Sequence, residues 1–146
     1  MTNEKYTVSA LKYRPNSWDT IIGQENIAVT LKQAIQSNQL AQAYLFCGPR
    51  GVGKTSTARL FAKEINLKYE PNLEDFTYNI YELDAASNNQ VDDIRNLNDQ
   101  VRIPPQTGKY KVYIIDEVHM LSQSAFNAFL KTLEEPPPHV IFILAT

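Results

Sequence analysis

Cysteine is nearly absent from this 146-residue chain: Cys47 stands alone, which excludes an internal disulfide framework. With only His119 and His139 beside it, a cysteine-rich zinc site is excluded too, so no zinc is expected. Neither sign of charge dominates. Fourteen basic residues against sixteen acidic ones leave a net charge of −2, which rules out nucleic-acid binding carried by bulk charge and confines any such contact to a local patch. No apolar run approaches the ~20 residues that span a bilayer, and the N-terminus, Met1-Thr-Asn-Glu-Lys-Tyr-Thr-Val, has no apolar signal region. We therefore expect a soluble, cytoplasmic protein without a membrane partner. What is there in quantity is globular: 43% hydrophobic and 21% charged residues can offset the conformational entropy of folding. A length of 146 residues fits one domain, residues 1–146, burying roughly 70% of the surface its unfolded chain exposes.

Two proline-rich punctuation zones, Pro104-Pro105-Gln106-Thr107-Gly108 and Pro136-Pro137-Pro138, each separate a helical pattern from a short β-branched or aromatic run. That alternation builds a parallel sheet covered by helices, an α/β fold. Ile27, Leu31 and Ile35 predict a helix near 24–37, followed by a buried strand over 43–47 and a helix from about Lys54 to Asn66. Residues 79–84 alternate like a strand, and Val91, Ile94, Leu97 and Val101 mark an amphipathic helix. Residues 110–115 read as a strand ending in two acids. Ser122 or Ser124 can cap a helix that carries Phe126, Phe129, Leu130 and Leu133 inward, before a last strand over 140–144.

The segment Gly48-Pro49-Arg50-Gly51-Val52-Gly53-Lys54-Thr55 fits G-x-x-x-x-G-K-[ST] and falls between a strand and a helix start. Glycines there let backbone N–H groups, continued by Ser56, wrap a triphosphate, while the helix aims its positive dipole end at the same anion. Lys54 adds a point charge at the β/γ-phosphates, and Thr55 offers a hydroxyl to Mg²⁺, a cation that prefers hard oxygen ligands. ATP and Mg²⁺ are the expected cofactors.

Asp116 and Glu117 close the strand over 110–115 and so stand at the carboxyl edge of a parallel sheet, where open α/β folds bind ligands. Two carboxylates suit two tasks: Asp116 to hold Mg²⁺ through its water shell, and Glu117 to orient and polarise the water that attacks the γ-phosphate. Without a phosphate loop nearby, the pair would read equally well as a helix-start signal. His119 completes an Asp-Glu-Val-His string like a helicase box, although a lone histidine just past a strand reads first as a packed or hydrogen-bonded group. Cys47 reads as an inert small hydrophobe. Thr146 ends the last strand beside the acids, where its hydroxyl either senses a γ-phosphate or frays.

Gly48 to Thr55, Tyr113-Ile-Ile-Asp-Glu-Val-His-Met-Leu-Ser122 and Phe126-Asn-Ala-Phe-Leu-Lys-Thr-Leu-Glu-Glu-Pro-Pro137 together resemble the bacterial clamp loaders of the DNA polymerase III gamma/tau kind. Tyr13-Arg-Pro-Asn-Ser-Trp-Asp-Thr-Ile-Ile-Gly-Gln-Glu25 is similar to that family's N-terminal box, and Glu82-Leu-Asp-Ala-Ala-Ser87 to its segment before a helix facing DNA. The resemblance implies an AAA+ P-loop ATPase that works with other clamp-loader subunits to open a sliding clamp and close it on primed DNA. It also implies an adenine pocket at Tyr13, Arg14, Pro15, Ile21 and Ile22, where the alternative is an arm packed on the core, and a weak DNA contact at Arg95, where the alternative is a solvated helix face.

The sequence departs from that family in three ways. The family's four-cysteine zinc module is replaced by Leu67-Lys-Tyr-Glu-Pro-Asn-Leu-Glu-Asp-Phe-Thr77, and basic residues after Ala-Ala-Ser are Asn88, Asn89 and Gln90. The chain also stops at Thr146, ahead of the family's arginine finger, fifth strand, helical lid and collar. The expected sheet thus has four strands, with the strand over 43–47 exposed at its edge and open to self-association. A fragment without finger or lid is expected to bind Mg²⁺-ATP weakly and hydrolyse it very slowly. A second functional class stays open beside the motor: a nucleotide-gated interaction subunit that binds ATP without hydrolysing it.

Overall fold

Strands whose side chains alternate between two buried faces organise this molecule. The computed structural model describes residues 25–46, 54–72, 76 and 79–146, with side chains from Leu31 onward in the first helix and from Thr55 onward in the second. In chain order the elements are α1 (Glu25–Gln36), β1 (Ala43–Phe46), α2 (Lys54–Tyr69), β2 (Ile80–Asp84), α3 (Val91–Val101), β3 (Lys111–Asp116), a 3-10 turn (Val118–Met120), α4 (Gln123–Glu134) and β4 (Val140–Ala145). Among the described residues, four strands form one parallel sheet in the order β1-β4-β3-β2.

Because successive strand residues face opposite sides, β3 sends Val112 and Ile114 to one core and Tyr113 and Ile115 to the other. Strand β4 likewise splits Ile141, Ile143 and Ala145 from Val140 and Phe142. The first core is closed by Leu31 and Ile35 of α1 and by Ala58, Phe61, Ala62 and Ile65 of α2. The second is closed by Ile94, Leu97 and Val101 of α3 and by Ala125 and Phe129 of α4. Helices thus cover both faces, which is why the central strands read as unbroken apolar runs.

Strand β1 is an edge strand among the described residues, as the four-strand expectation placed it, but it is not the buried strand that its apolar run suggested: with a strand on one side only, Phe46 alone on it is buried. Leu45 on it is exposed. Cys47, expected to end this strand, lies outside the described residues.

Local boundaries depart from the sequence expectation where tertiary contacts take over. Helix α2 runs on to Tyr69 because Lys68 Nζ donates to the α1 carbonyls of Ile35 and Gln36 and Tyr69 Oη donates to Asn38 Oδ1 at 2.8 Å. Helix α1 stops at a left-handed Asn38 (φ 60°), with Gln39 N–H donating to Ala34 O at 3.0 Å and Asn38 N–H to Ile35 O at 3.3 Å, the pairing of a Schellman cap.

Phe126, expected inward on α4, is instead exposed, and the buried stripe runs Ala125, Phe129 and Thr132. The reason is polar: Thr132 Oγ1 donates to Asn98 Oδ1 at 2.7 Å and Asn98 Nδ2 donates to Ala128 O at 3.2 Å, which fixes the rotation of α4 against α3.

Of the two candidate caps on α4, Ser122 is the one used. Its Oγ accepts from Ala125 N–H at 3.1 Å. Ser122→Ala should cost about 1 kcal/mol and lower the melting temperature by roughly 2–4 °C in a domain of this size. Ser124→Ala should leave the melting temperature unchanged in the same thermal denaturation series.

Lys111, at the start of β3, is buried and unforeseen. Its Nζ donates to the carbonyls of Gln100 at 2.8 Å and Ile103 at 3.0 Å, closing the C-terminal end of α3, and lies 5.0 Å from the Tyr81 ring centroid. Burial pushes its ammonium below the usual lysine range, yet carbonyls and ring faces supply the compensation that a buried cation needs.

Candidate functional site

All four strands point their carboxyl ends at one edge, so the turns that leave the sheet there meet. Thr55 stands in the first turn of α2, and its Oγ1 donates to Asp116 Oδ2 at 3.1 Å. This bond links residues 61 apart in sequence and brings the end of the phosphate-loop motif onto the acidic pair. A hydroxyl has one proton and two lone pairs. With the proton directed at Asp116, the lone pairs are left for a cation, and two hard oxygens from Thr55 and Asp116 stand side by side. That donor set fits Mg²⁺, which commonly takes one or two protein oxygens and completes its shell with phosphates and waters. Among the described residues, no group of three or more His, Cys, Asp or Glu side chains could hold a metal by itself.

Asp116 is the last residue of β3, and its other oxygen, Oδ1, accepts from Glu117 N–H at 3.0 Å. The chain then turns abruptly. Glu117 adopts φ 56° and ψ 45°, a left-handed conformation that non-glycine residues rarely take and that costs about 1–3 kcal/mol. Such strain persists where surrounding structure enforces it, and here it separates two neighbouring carboxylates: Asp116 follows the strand while Glu117 leaves it. The Glu117 side chain is mostly buried at 19% exposure, and its Oε1 lies 3.3 Å from His119 Nε2.

Strand β4 lies between β1 and β3, so its end falls between the motif-bearing strand and the acidic pair. Thr146 is not frayed. Its N–H donates to Phe46 O at 3.1 Å, and its hydroxyl lies 3.0 Å from His119 Nδ1. His119 is hydrogen-bonded, as a histidine just past a strand was expected to be.

Two features of this edge were not foreseen. Arg59, one helical turn beyond Thr55, forms a two-pronged pair with Glu82 of β2, Nε to Oε2 at 2.6 Å and the Nη2 to Oε1 at 2.8 Å. It ties the start of α2 to the sheet, and Glu82, with the nearby Asp116 charge, holds the guanidinium above its ordinary value. The four-residue step from Thr55 to Arg59 was the available signal. The second is Asp84, paired in register with Asp116, whose Oδ1 accepts from Ala86 N–H at 2.9 Å and shapes the turn after β2.

The other candidate residues are less informative. Ser56 is buried. Arg95 is exposed on α3 and reaches Asp92 at 3.3 Å, a surface pair of little energetic weight. Tyr13, Arg14, Pro15, Ile21, Ile22, Gly48, Pro49, Arg50, Gly51, Val52, Gly53 and the Lys54 side chain lie outside the described residues.

Comparison with known proteins decides the family. The family model described as DNA polymerase III, delta subunit, matches residues 23–146. The chain belongs to the DNA polymerase III delta-subunit family. Within that family's reach, the DNA polymerase III subunit tau of Bacillus subtilis is 50% identical over 147 residues, covering 92% of this chain and 26% of its own length. Among solved structures, a DNA polymerase III gamma subunit-related protein of Thermotoga maritima superposes with a TM-score of 0.60 at 26% identity, over 80% of this chain and 38% of that one. The Holliday junction branch migration motor RuvB of Thermotoga maritima superposes with a TM-score of 0.63 at 24% identity, over 90% of this chain and 40% of that one, and so shares the fold. The DNA polymerase III delta-subunit family member described here is therefore an α/β protein of the AAA+ type. The chain spans about a quarter of the length of the curated relatives it matches.

Proposed function

We propose that this chain is the nucleotide-binding part of a clamp-loader subunit that binds Mg²⁺-ATP at the carboxyl edge of its sheet and hydrolyses it to open a sliding clamp and place it on primed DNA. One observation carries the site: Thr55 Oγ1 donating to Asp116 Oδ2 joins the phosphate-loop motif to the acidic pair. The relatives named as DNA polymerase III subunits support the replication context.

In this reading the backbone amides of Gly48 to Thr55 hold the triphosphate, Lys54 places a cation against its terminal phosphates, and Thr55 with Asp116 holds Mg²⁺. Bound there, Mg²⁺ would neutralise charge on the phosphate oxygens. Glu117 accepts a hydrogen bond from water and turns its lone pair toward the γ-phosphate, as its departure from the strand beside Asp116 allows. Tyr13, Arg14, Pro15, Ile21 and Ile22 form the adenine pocket, Thr146 faces the terminal phosphate, and Arg95 contributes a minor backbone contact to DNA. The partners are other clamp-loader subunits, the sliding clamp and primed DNA, and the compartment is the cytoplasm. The edge of β1, unpaired among the described residues, is the surface through which a further strand, or a second copy, pairs. No described helix is long and apolar enough to cross a membrane.

The test is clamp loading by an assembly containing the subunit with Lys54→Ala. Loss of one charge aimed at the transferring phosphoryl should lower ATP-dependent loading by about 10²- to 10³-fold. Loading at the unsubstituted rate would reject the assignment.

A further inference from the structure

His119 sits half-exposed on the 3-10 turn, with one ring nitrogen against each of two site residues: Nδ1 is 3.0 Å from Thr146 Oγ1 and Nε2 is 3.3 Å from Glu117 Oε1. A single imidazole therefore spans the end of β4 and the strained residue after β3. In a neutral ring one nitrogen donates and the other accepts. Opposite a carboxylate, the tautomer that makes both contacts carries its hydrogen on Nε2, which leaves Nδ1 to accept the Thr146 hydroxyl proton. A line of polar contacts then runs from Thr146 O–H through the bond to Nδ1 and across the ring to Nε2, which faces the Glu117 carboxylate at 3.3 Å.

That direction has a consequence, because Thr146 has one hydroxyl proton. It can serve His119 or a phosphoryl oxygen, but not both at once. A terminal phosphate arriving at Thr146 competes with His119 for that proton, and the competition is felt at the other end of the ring, by Glu117. A diphosphate, which has no terminal group to reach Thr146, leaves the line of contacts as it stands.

We propose that His119 is a positioning residue that holds the Glu117 carboxylate in its working place and makes that placement respond to a terminal phosphate at Thr146. This rests on the ATPase reading above. Nothing in it requires His119 to touch the nucleotide, and the ring is exposed enough that its loss should not unfold the domain.

Three variants separate a positioning role from a structural one. Side-chain amides can stand in for imidazole nitrogens one at a time: the Gln amide reaches the place of Nε2, and the Asn amide that of Nδ1. In the assembled loader, His119→Ala should lower kcat by about 10- to 100-fold, the cost of a misplaced catalytic group. Its Kd for Mg²⁺-ATP and its melting temperature should stay within threefold and within 2 °C of the unsubstituted protein. His119→Gln should recover most of the lost kcat, and His119→Asn little of it.

A second readout is independent of turnover. The ¹⁵N resonance of His119 Nδ1 should shift between Mg²⁺-ADP and a non-hydrolysable Mg²⁺-triphosphate, and the shift should vanish in Thr146→Val. Unchanged kcat in His119→Ala, or equal losses of binding and melting temperature in the Ala and Gln variants, would overturn the proposal. Identical Nδ1 resonances in the two nucleotide states would overturn the coupling to Thr146. Failure of the unsubstituted protein to bind Mg²⁺-ATP is a separate result, which overturns the underlying ATPase reading and this proposal with it.

Discussion

Glu117→Gln should cut ATP turnover in the assembled loader by about 10²- to 10⁴-fold while leaving the affinity for Mg²⁺-ATP within a fewfold of the original, as read by steady-state hydrolysis and equilibrium binding. The amide matches the carboxylate in size and accepts a hydrogen bond, so the left-handed turn at residue 117 and the Asp116 Oδ1 contact to its N–H survive. What disappears is the negative charge that, in the proposed reading, polarises a water. The separation of Asp116 from Glu117 at that turn predicts the split itself: a change at 117 acts on rate, because the oxygen that faces Thr55 belongs to 116. The same variant decides between the two functional classes left open by the sequence. Under the motor reading, hydrolysis by this subunit ends. Were the chain only a nucleotide-gated interaction subunit, total turnover of the complex would be unchanged.

Asp116→Ala should produce the opposite pattern, lowering Mg²⁺-dependent nucleotide affinity by at least about 10- to 100-fold, the range found even for residues one shell removed from a metal. Both carboxylate oxygens are engaged, one by Thr55 Oγ1 and one by Glu117 N–H. Removing them frees the Thr55 hydroxyl to rotate, so the second candidate ligand loses its orientation along with the first. The edge is only partly buried, and the groups left behind can turn to water. Titration with and without Mg²⁺ should show the loss confined to the metal-dependent part, with a small change in melting temperature.

Much of this architecture is legible in the residues themselves. The double-faced strands β3 and β4 announce themselves as continuous β-branched and aromatic runs, and α3 shows its Ile94, Leu97 and Val101 stripe without help from context. Those signals are local, and local periodicity reports them well. Phe126 was misplaced because a helix with several large apolar residues allows more than one inward face, and the Asn98–Thr132 bond that selects the face joins two helices. Lys111 escaped notice for a similar reason: a lysine opening a strand looks solvated until the carbonyls of Gln100 and Ile103 arrive from α3.

At the site the phosphate-loop motif and the acidic pair were readable as separate pieces, since each carries its own residue-type and spacing signal. Their meeting is topological, and it was legible through the expected parallel sheet, whose strands all end on one edge; what the sequence left out was the strand order that puts β4 between β1 and β3 and the Thr55–Asp116 bond itself. The left-handed backbone at Glu117 and the two-sided contacts of His119 were likewise invisible, because strain at a non-glycine residue has no composition signature.

Titration calorimetry of ATP into the protein, run once with Mg²⁺ and once with a chelator, bears most directly on the convergence of loop, hydroxyl and carboxylate on a single metal-nucleotide. The account predicts one binding event per chain whose affinity depends on Mg²⁺ and which weakens in Asp116→Ala. An affinity indifferent to Mg²⁺, or no heat at millimolar ATP, would contradict it.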